Sequence, residues 1–222
     1  MEVKHIFKEV THGIFHWESS IFKTIKELII QPGIFLKKYI AGIRKPYVKP
    51  FSYFIFIQTI YVLLFHWVSD RFFSYINPIM NPNVTQSQML KVEEIQHLIT
   101  SNINYLNFFL PIFLAFYLMI FMKKRTGINY AESIVISLYL QGTLMIFGIV
   151  TMPFVFLNPS IWQYRFVFNI VYTIFIVIQF GGYSKLSGII KGFFASVLSM
   201  LTYIVLVAII TIIYIVFIKH YV

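Results

Sequence analysis

Cysteine is absent from the 222 residues, which excludes disulfides, thiolate metal sites, Cys nucleophiles and lipidation on sulfur. A zinc ribbon and a thiol redox role go with them. Charge is also scarce: Asp, Glu, Lys and Arg make up 12% of the chain, where soluble proteins average about 25%. Acids are scarcest, 8 against 18 Lys and Arg, for a net charge of +10. Tryptophan occurs 3 times, whereas Phe reaches 25 and Tyr 15, a bias suited to filling apolar space and setting amphipathic rings at interfaces. With 59% hydrophobic residues and a mean hydropathy of +0.77, the chain is expected to have lipid, not water, as its main solvent. Residues 1–49 are studded with charge and lack a short apolar core followed by a small-residue cleavage site. No cleavable signal peptide is therefore expected, and the first span acts as the anchor.

Five stretches are apolar for long enough to cross a hydrocarbon core of about 30 Å, which takes roughly 20 helical residues. They run Phe51 to Val68, Tyr105 to Met122, Ser133 to Val155, Trp162 to Phe180 and Phe193 to Ile218. Their only charged residue is Arg165, expected to snorkel at a rim beside Trp162. Lys and Arg number 9 before the first span, then 2, 3, 1, 2 and 1, so alternate regions hold 14 and 4. The positive-inside rule then places the amino terminus in the cytoplasm and the carboxyl terminus outside. A four-span arrangement follows instead if the second and third stretches form a re-entrant pair or the fourth does not cross. The expected fold is all-α: a polytopic transmembrane helical bundle of about five spans with an amino-terminal amphipathic cytoplasmic helix. Residues 1–49 form the cytoplasmic segment and 50–222 the bundle, with an outer loop at about 69–104.

Plotted at helical spacing, Val3, Ile6, Val10, Ile14, Trp17, Ile21, Ile25 and Leu28 share one face, while Lys8, Ser19, Lys23, Lys26 and Glu27 lie away from it. This is an interfacial or docked helix, expected to end at Pro32-Gly33. Beyond it, Phe35 to Pro50 reads as a basic juxtamembrane stretch. The outer loop holds a short helical candidate from Gln86 to Leu98, an Asn83-Val84-Thr85 acceptor pattern and a Glu93/His97 pair at i, i+4.

His5, Glu9, His12 and His16 line up opposite the apolar stripe at spacings of 4, 3 and 4. They read either as a divalent-metal or pH-sensing site or as a solvated polar face that is rich in His. No cofactor is expected, and the HExxH pattern of zinc proteases is absent. Lys37, Lys38, Arg44, Lys45 and Lys49, interleaved with Tyr39 and Tyr47, suit anionic lipid headgroups at roughly 1 kcal/mol per cation. They also suit a phosphate-bearing ligand or nucleic acid through stacking, or a protein partner. Gln58, Thr59, Asn107, Gln141, Thr143, Asn169, Thr173, Gln179, Ser199 and Thr202 are expected to make interhelical hydrogen bonds. Glu132 is the only acid near a span, which argues against a proton-coupled pump. Ser184, Gly188, Gly192 and Ser196 recur every fourth residue. They permit close helix approach within one bundle, or between copies in a homo-oligomer.

The run PGIFLKKYIAGIRKPYVKPFSY, Pro32 to Tyr53, preceded by Thr24 and Leu28, resembles the signature of an uncharacterised family of bacterial multi-pass membrane proteins. The matching positions are Thr24, Leu28, Pro32, Gly33, Phe35, Lys38, Tyr39, Gly42, Arg44, Tyr47 and Pro50. Longer members carry an amino-terminal zinc ribbon that this chain lacks, so the resemblance implies a topology and not a reaction. In size, span count and basic cytoplasmic face the chain is also similar to membrane accessory proteins encoded beside RNA-guided RNA nucleases. The functional expectation is a non-enzymatic inner-membrane accessory or regulatory protein acting through its basic amino-terminal region on a cytoplasmic protein or ribonucleoprotein, in the antiviral setting this likeness implies. A small oligomeric channel or transporter is the alternative, and a membrane enzyme with a His-based metal site the third reading.

Overall fold

The structure, a computed structural model, describes residues 19–80, 107–155, 157–158 and 161–221. Every regular element among them is helical. Residues 19–30 form α1, followed by α2 (Pro32–Ile40) and α3 (Pro50–Met80). A 3-10 turn at Asn107–Phe109 leads into α4 (Leu110–Thr126), and then come α5 (Tyr130–Val155), α6 (Ile161–Gly181) and α7 (Lys185–Tyr221). Five segments are long and apolar enough to span a membrane: Pro50–Val68, Asn107–Thr126, Tyr130–Phe154, Tyr164–Gly181 and Lys185–Ile213.

The caps explain where these helices stop. At the head of α5, the Glu132 N–H donates to Asn129 Oδ1 and the Asn129 N–H to Glu132 Oε2, both at 2.9 Å. This reciprocal capping box satisfies donors that a helix start leaves without partners. The acid near the third span is thus occupied in ending a loop. At the tail of α4, the Gly127 N–H closes onto Lys123 O at 2.9 Å, and Lys123, Lys124 and Arg125 sit in the last turn, where cations favour the carbonyl end of a helix.

Helix α1 ends at residue 30, just before Pro32-Gly33 as expected, but helical structure resumes at once: Pro32 opens α2, because a proline at the first helical position lacks only an N–H that has no intrahelical acceptor anyway. One boundary differs from the sequence reading. The last helix begins at Lys185, eight residues before Phe193. The two lysines of this added stretch do not oppose it: Lys185 is exposed at the first turn, and Lys191 Nζ donates to Phe121 O at 3.1 Å across the helix pair.

The spans run up and down in sequence, so the amino-terminal segment and the short links 127–129 and 182–184 share one end. Helix α3 packs on α5, α4 on α5 and α7, and α6 on α7. Helix α2 docks against α6. Between the helices, Tyr53 and Thr143 hydroxyls meet at 3.1 Å, Tyr117 and Thr202 at 2.8 Å, and Ser196 Oγ donates to Asn169 Oδ1 at 2.8 Å. Tyr203 OH donates to Asn107 Oδ1 at 2.8 Å. In contrast, Thr59, Thr173 and Ser199 donate to carbonyls of their own helices. Tyrosine supplies most of the cross-helix donors, since its ring packs like Phe while its hydroxyl reaches a partner. The outward residues of α7, among them Leu201, Ile204, Val205 and Ile209, are half or more exposed, as expected of a lipid-facing helix.

Arg165 lies at the rim of its span, as expected, and its guanidinium is engaged there. Its Nη1 donates to Tyr61 OH at 3.0 Å and its guanidinium lies 5.1 Å from the Tyr61 ring centre. A Cβ on Gly148 would come within 2.3 Å of Nη2, so the missing side chain on α5 makes room for an inward-turned arginine.

Candidate functional site

The segment from Thr24 to Pro50 forms a hairpin wedged into the end of the bundle: the chain after α2 turns back at Gly42 and brings residues 47–48 onto α1, while α2 docks on α6. Thr24 anchors it: its Oγ1 donates to Ser20 O at 2.7 Å and accepts the Val48 N–H at 3.2 Å, tying α1 to the strand of chain that enters α3. Leu28, Phe35 and Leu36 are fully buried. At the start of α2 the Gly33 N–H donates to Gln179 Oε1 at 3.0 Å. A Cβ at Gly33 would lie 2.2 Å from Gln179 Cβ and 2.6 Å from the Phe180 nitrogen, so only glycine permits this approach. After α2 the chain reverses at Gly42, whose φ of 104° is open to glycine alone at little cost. Two spans contribute tyrosine donors to the same hairpin: Tyr172 OH donates to Leu28 O at 2.8 Å, and Tyr139 OH donates to Val48 O. The Tyr139 ring stands edge-on to Phe35 and Tyr39, with centroids 4.9 and 5.3 Å away.

Within this frame the predicted contact set divides in two. Lys37, Lys38, Arg44, Lys45 and Lys49 are exposed. Tyr39 and Tyr47, in contrast, are 6% and 8% exposed, so their rings brace the fold and are not presented for stacking on a base. Tyr47 OH donates to both Glu27 carboxylate oxygens at 2.8 and 3.0 Å. Burial, followed by that hydrogen bond and the Glu27 charge, pushes its hydroxyl up to about 12. Tyr39 offers its carbonyl to Arg44 Nε at 3.4 Å, with the guanidinium 5.6 Å from its ring, which orients one exposed cation.

Further cations join the same end. Lys123, Lys124, Arg125 and Lys185 are exposed there, and Lys23 and Lys26 project from α1. Tyr183 carries Lys191 and Arg125 at 4.2 and 4.9 Å from its ring centre, while its hydroxyl donates to the α4 carbonyls of Phe121 and Met122 at 3.3 and 3.4 Å. Glu27 and Glu132 are the only acids among the described residues of this end, and both are engaged. The resulting surface is a cationic face on a hydrogen-bonded support.

The remaining singled-out residues lie elsewhere. Gly188 and Gly192 face α6, where a Cβ would meet Ile178 Cγ1 at 2.3 Å and Ile174 Cα at 2.6 Å; Ser196 continues that seam and is buried, and Ser184 is exposed at its start. His5, Glu9, His12 and His16 lie outside the described residues, as do Asn83, Glu93, His97 and the 86–98 segment. Among the described residues no three His, Asp or Glu gather as a metal site would require. The buried bracing role of Tyr39 and Tyr47, and the donors Tyr139 and Tyr172, were missed by sequence reasoning. The available signal was tyrosine standing mid-span among aliphatic neighbours.

Residues 18–62 match a family described as a protein of unknown function, DUF3667. The match covers α1, α2, the turn at Gly42 and the first part of α3, which is the hairpin and its connection to the bundle. No curated protein matches the chain, and no solved structure does.

Proposed function

We propose that this chain is a non-enzymatic accessory protein of a bacterial inner membrane that recruits an acidic soluble partner through its basic end, with that end in the cytoplasm and the carboxyl terminus outside. One observation carries the reading: Lys37, Lys38, Arg44, Lys45 and Lys49 are exposed on a hairpin whose aromatic residues are buried beneath them. Cations on a fixed support lose less conformational freedom on binding than cations on a loose tail. An end rich in Lys and Arg and poor in acids also steers an acidic partner toward it. The sidedness follows from the bias of 14 to 4 in Lys and Arg.

Glu132 is the one Asp or Glu within the five span segments and is held in a capping box, which disfavours a proton-coupled transporter. The partner class is a protein or a ribonucleoprotein, and the likeness to accessory proteins of RNA-guided RNA nucleases favours the second, in an antiviral setting. The test is crosslinking in the native membrane followed by affinity purification, comparing the wild type with K37Q/K38Q/R44Q/K45Q. A soluble acidic protein or ribonucleoprotein recovered only with the wild type supports recruitment. Recovery of nothing but crosslinked copies of the chain sinks it in favour of an oligomeric channel.

A further inference from the structure

Helix α1 is apolar on two sides. At about 100° per residue, Ile21, Thr24 and Leu28 fall on the docked side and are buried, whereas Phe22, Ile29 and Ile30 fall on the other and are 70%, 43% and 56% exposed. Helix α2 repeats the arrangement, with Phe35 and Leu36 buried and Ile34 exposed. Lys26 stands between the exposed apolar groups of α1, whereas Lys23 Nζ lies 5.4 Å from the Tyr47 ring centre. A helix that faced water on its outer side would carry polar residues there.

Three observations say what covers this face. The first is continuity: the chain passes from buried Val48 to Pro50, which already begins a span. The second is depth. Tyr139 stands nine residues after the start of α5 at Tyr130, and Tyr172 nine before the end of α6 at Gly181, about 13 Å of helix rise in each case. Both donate to hairpin carbonyls, so the hairpin is sunk beside the span ends and does not hang below them. The third is charge: the acid of α1, Glu27, and Lys23 are both turned onto Tyr47, leaving Lys26 as the charged group among the outer apolar residues.

We propose that the outer face of this hairpin is seated in the phospholipid leaflet at the basic end, with Phe22, Ile29, Ile30 and Ile34 at the acyl–headgroup boundary and Lys26 reaching the phosphates of anionic lipids. Long lysine stems suit this position, lying along apolar surface while the ammonium stays at headgroup level. The lipid seat occupies the outer side of α1 and α2, apart from Arg44, Lys45 and Lys49, and holds whether or not a soluble partner is recruited.

The absence of cysteine makes the test direct. Single variants Phe22→Cys, Ile30→Cys and Ile34→Cys, with Lys45→Cys as the aqueous reference, are labelled with an environment-sensitive fluorophore in the full-length protein. All four positions are exposed, so substitution leaves the packing intact. The protein is reconstituted in vesicles of fixed phosphatidylcholine and phosphatidylglycerol content, with brominated acyl chains carried on one lipid or the other. The expected result is a blue-shifted label at positions 22, 30 and 34, quenched by brominated chains and shielded from iodide, while position 45 is quenched by iodide. Brominated phosphatidylglycerol should quench position 22 more than brominated phosphatidylcholine does, and Lys26→Gln should remove the excess. Iodide quenching at 22, 30 and 34 equal to that at 45 overturns the seat and leaves the face to a soluble partner. Equal quenching by the two brominated lipids overturns the anionic preference.

Discussion

Gly33 and Gln179, 146 residues apart in sequence, are joined by a 3.0 Å hydrogen bond from the Gly33 N–H to Gln179 Oε1. The joint fixes the start of α2 against the end of α6. It gives both residues a structural reason to be present, one for its missing side chain and the other for its acceptor.

Gly33→Ala should therefore loosen the hairpin more than Gln179→Ala. The added methyl meets backbone at Phe180 as well as Gln179 Cβ, and overpacking of this kind costs about 1–3 kcal/mol. Loss of the Gln179 acceptor costs about 1 kcal/mol, because the freed N–H is only partly buried. Limited proteolysis within α1 and α2, together with denaturant titration in micelles, reads both. Equal resistance of wild type and Gly33→Ala would contradict the packing.

Tyr47 makes the docking alkali-sensitive. Its hydroxyl ionises at about 12 in the folded protein and near 10 when exposed. A raised pKa means that the folded state holds the proton more tightly, so the stability it supports is whole below pH 10 and is lost as pH rises from about 10 to 12. Tyr47→Phe should be less stable at neutral pH through loss of the Glu27 bond, yet show a shallower decline across that alkaline window. Parallel profiles for the two proteins would contradict this.

Much of the frame was legible in the sequence, and the reasons are local. The 3.6-residue period of Ile21, Ile25 and Leu28 reported the docked side of α1, and uninterrupted apolar runs reported five spans. The second apolar side of α1, at Phe22, Ile29 and Ile30, is invisible to a reading that seeks one stripe and one polar face. Tyr39 and Tyr47 look like stacking platforms when only their basic neighbours are considered; their burial depends on Phe35 and Tyr139, and Tyr139 is 100 residues further along than Tyr39. The partner of Arg165 was missed for the same reason, since its contact depends on the space at Gly148 and on Tyr61.

The seam between α6 and α7 yields a graded prediction. At Gly192 an added methyl meets the Ile174 backbone at 2.6 Å, whereas at Gly188 the nearest atom is a side-chain carbon of Ile178, which is able to rotate away. Gly192→Ala should cost about 1–3 kcal/mol and Gly188→Ala less, measured by denaturant titration. Neither should change the mass of the detergent-solubilised particle. A change in mass with stability intact would move the stripe to an interface between copies.

Arg165 and Gly148 should be coupled. Gly148→Ala displaces the guanidinium from its place against Tyr61 and should destabilise the end of the bundle away from the hairpin, while adding Arg165→Ala should recover part of the loss. A double-mutant cycle of thermal stability gives the coupling, expected at about 0.5–3 kcal/mol. Additive effects would show that the two residues act separately.

The account turns on cations being carried by a buried support, and parallel recovery from crosslinked native membranes tests that most directly. Three proteins are compared: the wild type, K37Q/K38Q/R44Q/K45Q, and Gly33→Ala. The account predicts that the wild type alone retains an acidic soluble partner, that the charge variant loses it at unchanged stability, and that Gly33→Ala loses it together with resistance of α1 and α2 to proteolysis. Retention of the same partner by the charge variant would contradict it.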